Sequence, residues 1–396
     1  MTSPPPPHLL LAYDFPPIGG GISRWMAELA YKYPEHALLV STGAVPGSEA
    51  VDAALPVTVD RVAVPSGRLR TLPGLWTWSR RVVELADRHH VRFAWCGNLR
   101  PAAYPARWLR SRRRVPYGVM VHGGDVLTTR DQAGKSSRKR RVARALLGDA
   151  DVVVANSRWT SDRVRELASE LNLPDGGPLV EVVPLGTDPA RFRPDLDVTA
   201  VRARYGLDGG PWMLTVARLA PHKGMDVALE VLGRLAPRHP DLRYAIAGDG
   251  PDRERLARRA AEHGIADRVR FLGLVPEELL PPLYAAADVY VGLSREEGRE
   301  VEGFGISFVE ASASGLPVVA GRAGGVPDAV REGETGFLVD PTDVEQAMAA
   351  IEVLLGDPDR AERMGATGRR AAETMYHWER VARALWRLGE AHAAGS

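Results

Sequence analysis

Residues 294–315 read SREEGREVEGFGISFVEASASG. The first ten positions are polar and carry no apolar period, so they form a loop. At Phe304-Gly305 the pattern turns helical, with Ile306, Phe308, Val309 and Ala313 on the buried side. Glu302 stands at the mouth of this helix, and Glu310 follows just over two turns later. A loop entering a helix at glycine leaves backbone N–H groups aimed at whatever occupies the mouth, and the helix dipole favours an anion there. A carboxylate at each end of the mouth accepts hydrogen bonds from sugar hydroxyls. The stretch suits a ligand with phosphate in the middle and a polyol on either side, such as a nucleotide-sugar. The plainer alternative is a helix start with two solvated glutamates.

Outward from this stretch, strands alternate with helices. HLLLAY (8–13) is a first strand, followed by the loop DFPPIGGG and the helix ISRWMAELAYKY. ALLVST, VTVDRVAV, VRFAWCG, PYGVMVHGGD, DVVVANS and VEVVPLG continue the series, with LWTWSRRVVELADRHH, SRKRRVARALLGDA and WTSDRVRELASEL as helices. Around TDPARFRPDLDV the pattern lapses, then restarts with PWMLTVARL, LRYAIAGDG, VRFLGLV, ADVYVGLS and LPVVAGRAGG as strands. Continuous apolar strands between helices imply parallel sheets covered on both faces. The expected class is α/β: two Rossmann-like βα domains facing each other across a cleft, with ligands at the carboxyl ends of the strands. The expected divisions are 1–188, 189–374 and a final helix, 375–396, crossing back to the first domain, with a hinge between Gly186 and Pro194.

A chain of 396 residues is too long for one ordinary core and fits two domains. A net charge of +1 gives no global case for a nucleic-acid partner. The lone Cys96 rules out an internal disulfide and fits a reducing compartment. No apolar run approaches the roughly 20 residues that span a bilayer. The leader lacks the basic flank and cleavage signal of a secretory peptide, so Met1–Pro7 reads as a disordered tail and the protein as cytoplasmic. Only Lys32, Lys135, Lys139 and Lys223 are lysines among 51 basic residues, an arginine excess that points to a GC-rich genome.

Several strand-end loops carry chemistry. Gly19-Gly20-Gly21 opens a helix after the first strand, where glycine lets a ligand approach the backbone; a plain βα turn would read the same way. His122-Gly123-Gly124-Asp125 closes another strand and offers a donor and an acceptor to sugar hydroxyls. Arg218 and Lys223, in RLAPHKG, place two cations on one strand-end loop, able to grip a pyrophosphate from two sides. GDGP (248–251) and GGVPD (324–328) are further turns of this kind. The basic helix SRKRRVARA (136–144) is either a solvated face or a contact with anionic lipid or a phosphorylated acceptor.

The set PPIGGG, HGGD, RLAPHKG, GDGP, EGFGISFVE and GGVPD resembles the retaining GT-B glycosyltransferases of family 4 along essentially the whole chain. The loop REEGREVEGFG looks most like phosphatidylinositol mannosyltransferases and antibiotic or exopolysaccharide glycosyltransferases. The resemblance implies that Arg218 and Lys223 hold the donor diphosphate. Glu302, with the backbone of Phe304 and Gly305, would take the hexose hydroxyls. Ile306 and Ser307 would offer N–H groups to phosphate, and Glu310 would hold the ribose. Gly20 and Gly21 would lie near the diphosphate, His122 near the sugar, and the base near Leu274 and Val275. Asp328 stands where glutamate is commoner and is left out of the set. The acceptor surface has no transferable motif; Trp25, Trp95, Asn98, Arg100 and Asp125 are candidates by position.

The expected activity is hexose transfer from a UDP- or GDP-sugar to an acceptor hydroxyl, small or lipid-linked, with retention and front-face attack. No resident cofactor is expected, no metal is expected because no His/Cys cluster is present, and oligomeric state is open. Peripheral contact with the inner face of a membrane is the expected extension of the basic helix. A nicotinamide oxidoreductase would need a glycine fingerprint and ribose acid that the chain lacks. A non-catalytic nucleotide-sugar sensor would share the site. A phosphorylase would need a Schiff-base lysine, and Lys223, the only lysine of the second half, is already assigned to phosphate.

Overall fold

The computed structural model describes residues 7–34, 37–174 and 177–394. The expected tail at Met1–Pro7 lies, apart from Pro7, outside them. Contacts divide the chain into two units: 1–185 with 378–396, and 186–377.

The first unit holds one parallel sheet of seven strands: β1 (His8–Leu11), β2 (Leu38–Ala44), β3 (Thr58–Pro65), β4 (Ala94–Cys96), β5 (Tyr117–Val121), β6 (Val152–Ala155) and β7 (Leu179–Val182), in the order β3-β2-β1-β4-β5-β6-β7. These are the seven apolar runs of the sequence. Four of them are buried at every position, as strands covered on both faces must be. The helices Leu72–His89 and Ala103–Arg113 send Trp78, Val82, Leu85 and Leu109 into one core with Leu9, Leu11, Val119 and Val153. Each such side chain contributes roughly 1.5–3 kcal/mol by leaving water. Trp95 is fully buried on the opposite face of β4, beside Phe93, and its indole N–H donates to the Tyr33 hydroxyl at 3.2 Å.

The final helix, Trp378–Ala394, packs on Gly21–Lys32. Lys32 meets Glu379 at 2.6 Å, and buried His8 bridges the Tyr33 hydroxyl (2.6 Å) and Glu390 (2.9 Å).

The second unit holds a parallel sheet of six strands: β8 (Trp212–Val216), β9 (Arg243–Ala247), β10 (Val269–Gly273), β11 (Val289–Gly292), β12 (Val318–Gly321) and β13 (Gly336–Val339), in the order β10-β9-β8-β11-β12-β13. Five of these match the sequence reading; β13 was not read, because GFLV is a four-residue run that begins at glycine. The helix Gly124–Lys135 was missed for a related reason. Only Val126, Thr129 and Ala133 of its twelve residues are buried, too few to print a helical period.

In each unit the strand order reverses once, between β1 and β4 and between β8 and β11. An open α/β sheet has its crevice at such a reversal, outside the carboxyl ends of the strands. No helix among the described residues is long and apolar enough to cross a membrane.

Candidate functional site

Most of the sequence-selected residues lie on the loops after β1, β4 and β5 in the first unit and after β8 and β11 in the second, beside these reversals, whereas Leu274 and Val275 follow β10 at the edge of its sheet. In the second unit the loops leaving β8 and β11 are locked together. Gly224 takes a left-handed backbone (φ 71°), and a Cβ there would strike the Leu293 carbonyl. The Arg295 N–H donates to the His222 carbonyl at 2.8 Å, and its guanidinium forks onto Asp226 at 2.9 and 3.1 Å. Burial alone would push the Asp226 carboxyl up. Hydrogen bonds from Arg295 and the charges of Arg295 and Arg255 outweigh burial and hold it below its ordinary value of 3.8.

This frame sets Lys223 against Glu302, with Nζ donating to Oε2 at 2.6 Å and both side chains four-fifths buried. The Glu302 main chain is fixed from a third loop, where the Gly325 N–H donates to its carbonyl at 2.8 Å. Phe304 is buried, Gly305 (φ 92°) caps the helix Ile306–Ala313, and no side chain caps that first turn. The N–H groups of Ile306 and Ser307 thus receive no side-chain cap. Glu310 is 2% exposed and accepts from the Tyr284 hydroxyl at 2.8 Å. The two glutamates are thus not the solvated pair of the plainer reading.

Arg218 is well exposed, its Nη2 3.6 Å from Glu300 Oε2, and His222 Nδ1 approaches the same oxygen at 4.0 Å. Burial, with the charge of Lys223, pulls the His222 pKa below its usual value, so the ring is neutral near pH 7 and Arg218 is the charged partner of Glu300. Leu274, just beyond β10, is 80% exposed, and Val275 beside it is half-buried.

In the first unit, Gly20 (φ 118°) and Gly21 have open space where a Cβ would stand. The preceding turn is pinned by Arg61, which donates to the Pro16 carbonyl at 2.5 Å and forks onto Asp52 at 2.7 and 2.8 Å. His122, at the end of β5, has Nε2 2.7 Å from the Gly97 carbonyl. A carbonyl only accepts, so Nε2 carries the proton and Nδ1 of the neutral ring is the acceptor. Trp25 is fully buried and stands edge-on to this ring at 5.0 Å. The Asp125 carboxylate accepts from the His122 and Val126 N–H groups at 2.9 and 3.0 Å, leaving Oδ2 buried with no hydrogen bond. Arg100 donates to Gln132 at 3.0 Å, and buried Asn98 accepts from the Ala102 N–H at 3.3 Å and reaches Asp14 at 3.5 Å.

Asp14, His222, Tyr284 and Arg295 complete these arrangements and were not singled out in the sequence. Asp14 follows β1, and burial raises its carboxyl pKa, with His122 and Asn98 pulling it back. Asp14 and Arg295 each sit within three residues of a strand end, a signal that was available. Tyr284 had none, because it meets Glu310 only through the fold. Among the described residues no three His, Cys, Asp or Glu side chains gather as a metal site would require.

Comparison with known proteins shows the family. Residues 19–191 match the family Glycosyltransferase Family 4, and residues 197–371 match Glycosyl transferases group 1. The chain is 37% identical over 380 residues to the GDP-mannose-dependent alpha-(1-6)-phosphatidylinositol monomannoside mannosyltransferase of Mycolicibacterium smegmatis, covering 93% of this chain and 94% of that one. Against the protein of the same description from Mycobacterium tuberculosis it is 35% identical over 390 residues, covering 95% and 96%. Among solved structures, Anabaena HepE in complex with UDP superimposes with a TM-score of 0.77 at 21% identity, over 96% of this chain and 99% of that one, which supports the fold. With its paired parallel sheets and both family matches, the chain belongs to the GT-B glycosyltransferases of family 4.

Proposed function

We propose that the protein transfers mannose from GDP-mannose to a hydroxyl of a lipid-linked or small polyol acceptor, with retention at the anomeric carbon and without a metal ion. The observation that carries this reading is the Lys223–Glu302 pair at the uncapped mouth of the helix Ile306–Ala313. One cation and one carboxylate, held 2.6 Å apart, suit a substrate with a departing phosphate beside a hydroxylated ring. Mannose and guanosine are preferred because the relatives aligned over more than nine-tenths of the chain are described as GDP-mannose-dependent.

In this reading the bond from C1 to the diphosphate oxygen breaks while the acceptor oxygen bonds C1 from the same face. The acceptor proton passes to a donor phosphate oxygen. Lys223 and Arg218 neutralise the charge gathering on the diphosphate, joined by the N–H groups of Ile306 and Ser307. Glu302 and the backbone at Phe304-Gly305 orient the hexose, Glu310 the ribose, and Leu274-Val275 the base. Gly20 and Gly21 approach the diphosphate. His122 serves the sugar through Nδ1, and Asp14, Asn98, Arg100 and Asp125 serve the acceptor side.

The test is ligand-induced thermal stabilisation and turnover with GDP-mannose against UDP-glucose, each with and without a chelator. At a ligand concentration of about 100 Kd, stabilisation approaches 2.7 kcal/mol. Stabilisation by GDP-mannose alone, with chelator-insensitive turnover and an α-linked product, is expected. Binding without turnover would favour a non-catalytic sensor, and strict Mg²⁺ dependence or a β-linked product would overturn the mechanism.

A further inference from the structure

A carboxylate that takes two neighbouring ribose hydroxyls must be aimed closely, because each hydrogen bond depends on where its oxygens point. Glu310 is 2% exposed, and its Oε2 accepts from the Tyr284 hydroxyl at 2.8 Å. Tyr284 lies fully buried on the short helix Leu280–Ala285. Its ring is held between Phe192, edge-on at 5.6 Å and 75°, and Tyr290 at 5.8 Å. Phe192 is fully buried yet belongs to no helix or strand. It ends a turn on the segment that enters the second unit, where its N–H donates to the Asp188 carbonyl at 2.9 Å and the Ala190 N–H to the Asp188 carboxylate at 3.0 Å.

A second, independent set of contacts reaches the same place through the main chain. Arg369, on the helix Pro358–Thr374, shares its Nη1 hydrogens among the carbonyls of Pro189 (2.8 Å), Phe192 (2.5 Å) and Ala313 (2.8 Å), while its Nε donates to Glu373 at 2.7 Å. Ala313 is the last residue of the helix that carries Glu310, and a cation suits the carbonyls at a helix C-terminus. The chain just beyond that helix lies so close to Pro358–Thr374 that a Cβ at Gly365 would strike the Gly315 carbonyl. One guanidinium thus fixes both the turn that carries Phe192 and the end of the helix that carries Glu310.

We propose that Phe192 and Arg369 are positioning residues for the nucleoside of the donor, an inference that rests on the reading that Glu310 takes the ribose. Phe192 holds the Tyr284 ring, Tyr284 aims the Glu310 carboxylate, and Arg369 keeps the turn and the helix in register. A ring that only filled space would be replaced by an aliphatic side chain at some cost in stability, with no effect on the choice between ligands. A ring that aims a carboxylate through its neighbour alters which nucleoside binds.

The experiment is calorimetric titration of the full chain with GDP and with 2′,3′-dideoxy-GDP, with melting temperatures measured alongside. Wild type is expected to prefer GDP by roughly tenfold or more, the scale of a hydrogen bond to a charged group. Phe192→Leu should lower that preference roughly threefold or more, a coupling usual for residues in one contact network, and leave affinity for the dideoxy compound unchanged. With GDP-mannose the same variant should raise KM and leave kcat nearly unchanged, as loss of uniform binding does. Added to Glu310→Gln, it should change the preference no further. Arg369→Lys keeps the charge but not the fork, and it should lower the preference as well, which preserves the test if Phe192→Leu does not fold. A wild-type preference in folded Phe192→Leu and Arg369→Lys overturns the inference and leaves the ribose role of Glu310 standing. Equal weakening of both ligands also overturns it, since that is the mark of packing alone. Wild type that binds the two compounds equally removes the ribose role itself, and the inference with it.

Discussion

The turns after the first strand of each sheet are built from opposite materials. After β1 the chain runs through Gly20 and Gly21, where a Cβ would meet open space. After β8 it runs through Arg218, His222 and Lys223 to Gly224, where a Cβ would strike the Leu293 carbonyl. A Cβ at Gly20 or Gly21 would strike nothing, although Gly20 at φ 118° still needs the backbone freedom of glycine, whereas Gly224 is required by both its φ and its packing. One fold thus supplies an uncharged, sterically open turn in one half and a tightly packed, cationic turn in the other.

Breaking the cationic turn should have the largest effect. Lys223→Ala is expected to lower kcat with GDP-mannose roughly 10²-fold or more, the scale of losing one electrostatic stabiliser. Wild-type-like turnover in a folded variant would remove Lys223 from its role. Next comes the contrast between the glycines. Gly224→Ala should destabilise the protein by about 1–3 kcal/mol, read from the urea midpoint, because alanine is strained at φ 71° and meets a carbonyl. Gly21→Ala begins a helix in open space and should be neutral or stabilising by about 0.4–1 kcal/mol, while raising the KM for the donor. Equal destabilisation by the two would erase the comparison.

Acid should act on the second half through Asp226. A carboxyl held below 3.8 in the folded state adds stability that is complete above its unfolded value and is lost as pH falls through the folded one. Arg295→Ala should therefore lower the melting temperature at pH 7 and reduce its fall between pH 5 and pH 3. An unchanged acid slope would show that the fork does not set it. Tyr284→Phe removes one hydrogen bond to Glu310 and should cost about 1–2 kcal/mol in chemical denaturation.

Most of the fold was legible because parallel strands buried on both faces leave unbroken apolar runs, as in VVVA of β6. The strand GFLV and the helix Gly124–Lys135 were illegible because so few of their positions print a pattern. In the candidate site, the charged and glycine residues were legible from their place after strands. Trp95, a candidate by position, proved to fill the core, which position along a strand cannot distinguish from a rim.

By itself the sequence determined two parallel α/β halves, the cations of RLAPHKG and the glutamates of EGFGISFVE, since these depend on local pattern and residue chemistry. Tertiary structure alone decided that Lys223 meets Glu302 across 79 residues, that Tyr284 meets Glu310, and that Leu72 and Trp76 face outward with their helix neighbour Trp78 inward. Those contacts arise where strand order reverses and helices pack, and spacing along a chain carries no record of which distant segment will lie alongside.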